Sequence, residues 1–160
     1  MSTLPQLIDE DIDTLQNALQ ELLIKCDGSA ALVIDKGGFL ITQVGPDKHL
    51  DTTTLAAMSA ASFAATQTIA TLVNEENFSS VYQQGERHSL LVLNVDEYCL
   101  LTVVFKAEVG VGAVKYFAGA TAENIARQME KARNRAPEEG WDLSVLNMAD
   151  PTPLFRRKSA

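Results

Sequence analysis

The stretch FSSVYQQGERHSLLVLNVDEYCLLTVVF, residues 78–105, decides the fold. Three runs rich in β-branched, aromatic and leucine side chains, 78–84, 88–95 and 98–105, are separated by the short turns GER and DE. Runs of this composition between turn residues predict strands, and connections this short place consecutive strands side by side and antiparallel. The stretch therefore predicts a three-stranded β-meander.

The segments before the meander predict two helices and a hairpin. AALVIDKGGFLITQV predicts strands at 30–35 and 39–44 joined through Gly37 and Gly38, because glycine tolerates the positive φ of a tight turn. LDTTTLAAM opens a helix with Asp51 or a following threonine as N-cap, and this helix is expected to end near Glu75. A first helix is indicated by apolar residues at helical spacing before Gly28: Ile8, Ile12, Leu15, Leu19, Leu22 and Leu23.

The segment after the meander predicts a last helix, with Val114, Phe117, Ile125 and Met129 as core candidates. The order α-ββ-α-βββ-α predicts an α+β sandwich built on one five-stranded antiparallel sheet. Residues 1–136 are expected to form this domain. Residues 137–160 contain three prolines and no sustained periodicity, which predicts a flexible C-terminal tail. The apolar residues within 141–155 leave two uses open, a peptide that docks on a partner or a segment that packs back on the domain.

Composition and charge exclude several classes of function. The 160 residues carry a formal net charge of −8, which disfavours nucleic acid and anionic membranes as partners. The uncharged run 52–74 has the length of a membrane span, but ten of its residues are Thr, Ser, Gln or Asn, so we expect a water-soluble helix. Cys26 and Cys99 are expected to be buried thiols. With no signal or transit pattern visible, the expected location is the cytoplasm.

The sequence does not contain the patterns of an enzyme. His49 and His88 stand singly, without cysteine or carboxylate at metal-ligand spacing, so no metal site is predicted. No GxSxG elbow, GxGxxG or GxxxxGK[ST] loop is present, so neither nucleophilic catalysis nor nucleotide binding by this chain is expected. We therefore expect a non-catalytic protein without a cofactor of its own.

The second helix carries no charge on any side. At 100° per residue, one side is predicted to pack on the sheet: Leu55, Met58, Ser59, Ser62, Phe63, Thr66, Ile69, Ala70 and Val73. The opposite side is predicted to be an exposed strip of small residues: Ala57, Ala60, Ala61, Ala64, Gln67, Thr68 and Thr71. A strip of this kind lets another backbone approach closely, which favours a docking surface. The alternative is that this exposed face has no binding role, and that its alanines are present because alanine is the best helix former.

The third strand is predicted to be a dimerisation edge. FSSVYQQ lacks the lysines and prolines that usually protect an edge strand. Pairing with the same strand of a second copy, through Phe78, Val81 and Tyr82, would join two sheets and bring the two second helices together. We therefore expect a homodimer formed through strand 3 and helix 2.

Several motifs in this order resemble the Roadblock family, and more narrowly its bacterial MglB-type members. They are LVIDKGGFLI, LDTTTLAAMSAASFAATQTIATLVNEENF, QGER and LLTVVF, and the resemblance covers roughly residues 8–133. It implies a profilin-like sandwich and a homodimeric regulator of an MglA-type, Ras-like small GTPase. Two copies would face one GTPase and raise its GTP hydrolysis by ordering the switch segments. It also suggests a role in motility or cell polarity.

The resemblance assigns the GTPase-binding surface to Ala57, Ala61, Ala64, Thr68 and Thr71. Nucleotide and metal would belong to the partner. Arg87 in QGER is a candidate arginine finger, although the resemblance does not support one and a turn residue is the favoured interpretation. Two other functions stay open: a scaffold, exchange or localisation factor for a small GTPase, and a sandwich that senses a small molecule in a polar cavity.

Overall fold

A computed structural model describes residues 4–45 and 48–135 of the chain. Its elements run in the predicted order: helix α1 (Asp9–Cys26), strands β1 (Gly28–Asp35) and β2 (Leu40–Val44), helix α2 (Thr52–Leu72), strands β3 (Ser80–Gln84), β4 (His88–Asn94) and β5 (Cys99–Lys106), and helix α3 (Val111–Asn134). The five strands form one sheet in the order β2-β1-β5-β4-β3. All four pairings are antiparallel, which confirms the predicted fold class.

The sheet is covered on both faces because its central strands are apolar on both sides. In β5 every residue from Cys99 to Val103 is buried. Helices α1 and α3 lie on one face, over a core that includes Leu101, Val103 and Phe105. Of the described helices, α2 lies on the other face, where Phe63 packs over Leu32, Leu100 and their neighbours. Both predicted thiols, Cys26 and Cys99, are buried and free, as expected.

The predicted element boundaries need small corrections. The third strand begins at Ser80 rather than at residue 78, so Phe78 precedes it, and α2 ends at Leu72 rather than near Glu75. Helix α2 stops early because Asn74 takes a left-handed conformation, φ 62°, which ends a helix readily in asparagine. The predicted tail, residues 137–160, lies outside the described residues, so the domain boundary at 136 stays a prediction.

The predicted buried side of α2 is partly wrong. Ser59, Phe63 and Ala70 are buried as expected, but Met58, Ile69 and Val73 are 59%, 49% and 57% exposed, and Ala60 is buried. The buried arc is centred on Ala56, Phe63 and Ala70, where alanines let the helix backbone approach the sheet while Phe63 fills the space between. By length and composition α2 could also span a membrane, and in this structure one side of it lies on the sheet.

A buried ion pair joins the start of α1 to the end of α3. The Asp11 carboxylate is fully buried and accepts two hydrogen bonds of 2.8 Å from the Arg135 guanidinium. It also accepts hydrogen bonds from Gln128 and from the backbone N–H of Ile8. These donors, Arg135 foremost, lower the pKa of Asp11 from 3.8 to about 2. The pair fixes the last described residue of the chain onto the domain.

This ion pair is expected to make stability fall in acid. Because the folded-state pKa of Asp11 lies below its unfolded value, its contribution is complete above pH 3.8 and is lost as the pH falls to about 2. The contribution is about 2 kcal/mol of unfolding free energy. Urea titrations between neutral pH and pH 2 should therefore show wild type and Asp11→Asn converging by that amount.

Asp13→Asn is the matched control, since Asp13 is an exposed carboxylate of the same helix. Its unfolding free energy should follow that of wild type across the titration. A gap between wild type and Asp11→Asn that stays constant with pH would contradict the assignment.

Candidate partner-binding surface

Helix α2 begins at a well-formed N-cap. The Asp51 carboxylate accepts a 3.0 Å hydrogen bond from the Thr54 N–H and a 2.6 Å one from the Thr54 hydroxyl. Both bonds stabilise the ionised form, so they lower the pKa of Asp51. This confirms Asp51 rather than a following threonine as the cap. The 21 residues that follow carry no charge, so nothing on the helix repels an apolar surface.

The five residues predicted to bind a partner lie together on α2. Ala57, Ala61, Ala64, Thr68 and Thr71 are all exposed, and their spacing of four and three residues places them in one row. We call this row the alanine–threonine strip. The Thr71 hydroxyl donates to the Thr68 carbonyl at 2.7 Å, so that hydroxyl is satisfied within the helix. The strip is therefore smooth and largely apolar. Two further members of the predicted strip do not belong to it, since Ala60 is buried and Gln67 is half-buried.

The β1–β2 turn lies against the N-terminal end of this strip. Gly38 has φ +97°, and a Cβ there would stand 3.2 Å from the Ala57 Cα, so glycine is needed both for the turn and for the close contact. The next residue, Phe39, is 74% exposed beside the strip. An exposed aromatic at this place suits a binding anchor. Phe39 was not predicted as part of this surface, because in the sequence it only opens the apolar run that predicts a strand at 39–44.

A cleft of about 700 Å³ lies between α2 and the nearby ends of the strands. Ala60, Ala64 and Gln67 form its helical wall, and Phe78, Asp96 and Leu100 lie opposite them. The Gln67 amide donates to the Phe78 carbonyl at 3.0 Å, which ties the helix to the segment that enters β3. Lys36 stands at the edge with its Nζ 5.9 Å from the centre of the Phe63 ring, and its partial burial lowers its pKa.

The other exposed side of α2 is apolar and bulkier. Met58, Ile69 and Leu72 are 59%, 49% and 78% exposed, and we call them the aliphatic flank. On the same face of the sheet, Val81, Leu90 and Val104 are only half-buried around the core under α2. A row of large apolar side chains beside an incompletely covered sheet is typical of a surface that a partner covers.

The predicted dimer residues lie at or next to an open edge. Among the described residues, strand β3 is the last strand of the sheet, with β4 as its neighbour. Val81 points to the α2 face, whereas Tyr82 points to the other face and stacks on Phe105 at 6.2 Å between ring centres. Phe78 precedes the strand and lines the cleft. Whether these three residues form a dimer interface stays a prediction.

The residues that the sequence offered as candidates for catalysis or metal binding do not lie together. Arg87 lies in the β3–β4 turn, where its carbonyl accepts from the Ala107 N–H, at the opposite end of the strands from Gly38 and the cleft. His49 and His88 are exposed and lie on different elements. Within the described ranges 4–45 and 48–135, no cluster of three or more metal-ligating side chains is found.

This fold is similar to those of several known proteins. Residues 14–105 match the family model described as the Roadblock/LC7 domain. An MglB with a tetrameric arrangement is 32% identical, with a TM-score of 0.76 over 82% of this chain and 99% of that one. The gliding protein MglB from Thermus thermophilus is 30% identical, with a TM-score of 0.75 over 82% and 99%. MglB from Myxococcus xanthus is 23% identical, with a TM-score of 0.74 over 82% and 98%. Comparison with curated proteins returned no match.

Proposed function

The chain belongs to the Roadblock/LC7 family, and from this membership and the surface of α2 we propose that it is a homodimeric regulator of a Ras-like small GTPase. The observation that carries the proposal is the pair of exposed, uncharged sides of α2. The aliphatic flank suits a permanent interface with a second copy, and the alanine–threonine strip suits a transient interface with another protein. The likeness to a protein described as a gliding protein supports a role in motility.

The dimer forms through the open edge of β3. Two β3 strands pair antiparallel about a two-fold axis, and the sheets become continuous. Because Gln67 in the C-terminal half of α2 bonds to the Phe78 carbonyl just before β3, this pairing brings the two C-terminal halves of α2 together. Ile69 and Leu72 are then buried against the second copy. The alanine–threonine strips of both copies stay open and form one platform.

The platform acts on the GTPase by holding its switch segments. Phosphoryl transfer needs little beyond positioned water and compensated charge around the γ-phosphate and Mg²⁺, and the GTPase carries the groups for both. An uncharged strip can hold the switch segments of the GTPase in place, because it has no charged side chains that would compete with the nucleotide or Mg²⁺ for the polar groups of those segments. Arg87 takes no part, because it lies at the other end of the strands from the strip.

Single-turnover GTP hydrolysis by the cognate GTPase tests the proposal. An excess of this protein is expected to raise the rate constant by tenfold or more, a small part of the ~10⁵-fold available to activated Ras-like enzymes. Arg87→Ala should stimulate as well as wild type. An unchanged rate while the complex still forms on a sizing column would contradict the activating role and favour a scaffold or an exchange factor. Stimulation that collapses in Arg87→Ala with intact binding would make Arg87 an arginine finger.

A further inference from the structure

The cleft beside α2 combines an apolar floor with an acidic rim. Its apolar floor is formed by Phe78, which is half-buried, together with Phe63 and Leu100, which are 6% and 0% exposed, and the carboxylates of Asp96 and Glu97 stand at the β4–β5 turn. A cleft with this lining accepts a ligand that has large apolar side chains next to positive charge. A small anion or a nucleotide would meet like charge there.

Of the two rim carboxylates, only Glu97 is open to a ligand. Asp96 is committed, since it accepts from Arg133 at 3.2 Å and from the N–H groups of Tyr98 and Cys99. Glu97 is exposed, and two more exposed carboxylates, Glu75 and Glu76, directly precede the cleft residue Asn77. Among the described residues that line the cleft, Lys36 is the one cation. Lys36 and Arg133 face the two lining carboxylates, so the excess negative charge around the cleft comes from Glu75 and Glu76.

The described part of the chain ends next to the same turn. Arg133 near the end of α3 binds Asp96, and its guanidinium lies 5.1 Å from the centre of the Tyr98 ring. Arg135 is held by the buried Asp11. Whatever follows residue 135 therefore starts beside the β4–β5 turn, which forms one side of the cleft.

One segment of the remaining sequence matches the cleft in composition and in reach. LFRRK, residues 154–158, places two large apolar side chains directly before three cations. Eighteen residues, 136–153, separate it from Arg135, and such a connection extends to about 60 Å. The other apolar segment, WDLSVL at 141–146, contains Asp142 and follows Glu138 and Glu139, so the rim would repel it.

We propose that residues 154–158 dock in this cleft within their own chain, with Leu154 and Phe155 on its apolar floor and the three cations at its acidic rim. The connection keeps the segment at a local concentration near the millimolar range, so weak contacts are sufficient. Ala64 belongs both to the cleft wall and to the alanine–threonine strip, so the docked segment covers part of the strip. It thereby competes with the GTPase, a consequence that rests on the function proposed above.

Paramagnetic relaxation in the full-length protein tests the docking without any GTPase. Both native cysteines are buried, so a nitroxide can be attached selectively at Ser159→Cys. The amide signals of Gln67, Asn77 and Glu97 are expected to lose most of their intensity, while those of Gly85 and Glu108 at the other end of the strands keep theirs. Equal intensity loss at both ends, or none at the cleft, would overturn the proposal.

A charge exchange provides the matched control. Glu97→Arg should restore the cleft signals in the labelled protein, and adding Arg156→Glu and Arg157→Glu should bring the broadening back. Glu108→Arg makes the same charge change at an exposed residue far from the cleft and should have no effect. Signals that stay broadened in Glu97→Arg would contradict the assigned contact.

A mixed sample separates docking within one chain from docking between copies. It combines ¹⁵N protein that carries no nitroxide with ¹⁴N protein that carries the nitroxide. The ¹⁵N amide signals at the cleft should then keep their intensity. Broadening in the mixed sample would assign the docked segment to the partner copy and overturn docking within the chain. Because no arm of this experiment includes a GTPase, its failure would leave the function proposed above untouched, and the reverse also holds.

Discussion

Arginine at both Ala64 and Thr68 is expected to abolish complex formation with the GTPase while the fold and the dimer persist. The two residues are exposed and one helical turn apart at the centre of the alanine–threonine strip. Each arginine would hold the surfaces apart, and each would bring an unpaired charge into the contact. Burying such a charge costs about 3 kcal/mol or more, so Kd should rise by about 100-fold or more.

The double variant is checked by titrating the GTP-bound GTPase in an affinity measurement, with circular dichroism and sedimentation as tests of fold and dimer. Ala120→Arg with Asn124→Arg is the matched control, because it places the same pair of charges at the same spacing on exposed positions of α3. The control should bind like wild type. If the α2 double variant binds normally too, the strip is not the partner surface.

The sheet could be predicted because its pattern is local. Strand-like composition and short turns in residues 78–105 predicted three adjacent strands, and these formed in the predicted order. The four residues Val114, Phe117, Ile125 and Met129 were also placed correctly towards the core, with only Phe117 less than fully covered. In α3 the polar residues between the apolar ones mark which side faces water.

The sequence of helix α2 does not indicate which side faces water. With no charge from Thr52 to Leu72, the pattern does not choose a side, and packing on the sheet decided the rotation of the helix. The alanines that approach the sheet took the buried positions, and Met58 and Ile69 were left outside. The Asp11–Arg135 pair was not predictable either, because it joins residues 124 positions apart and only the finished fold brings them together.

The direction of the backbone groups in β3 allows the dimer to be tested at one atom. The Gly85 N–H donates to the His88 carbonyl, and the Asn94 N–H donates to the Ser79 carbonyl. Hydrogen-bonded pairs alternate along an antiparallel ladder, so residues 79, 81, 83 and 85 bond to β4. The N–H groups of residues 80, 82 and 84 therefore point to the open edge, where a second β3 would pair with them.

Tyr82→Pro is expected to separate the dimer without breaking the hairpin. Proline removes an N–H that points away from β4, and edge strands tolerate it for this reason. In the dimer the same N–H of each copy would lie in the middle of the joined strands, and each of the two lost hydrogen bonds leaves a carbonyl unpaired at about 1.5 kcal/mol, so the dimer Kd should rise roughly 100-fold. Sedimentation equilibrium across a concentration series measures this shift.

Tyr82→Ala is the matched control, because it removes the same ring from Phe105 but keeps the N–H, so it should dissociate far less. If proline and alanine weaken the dimer equally, the copies associate through side chains alone, and the aliphatic flank of α2 rather than the edge of β3 holds them together.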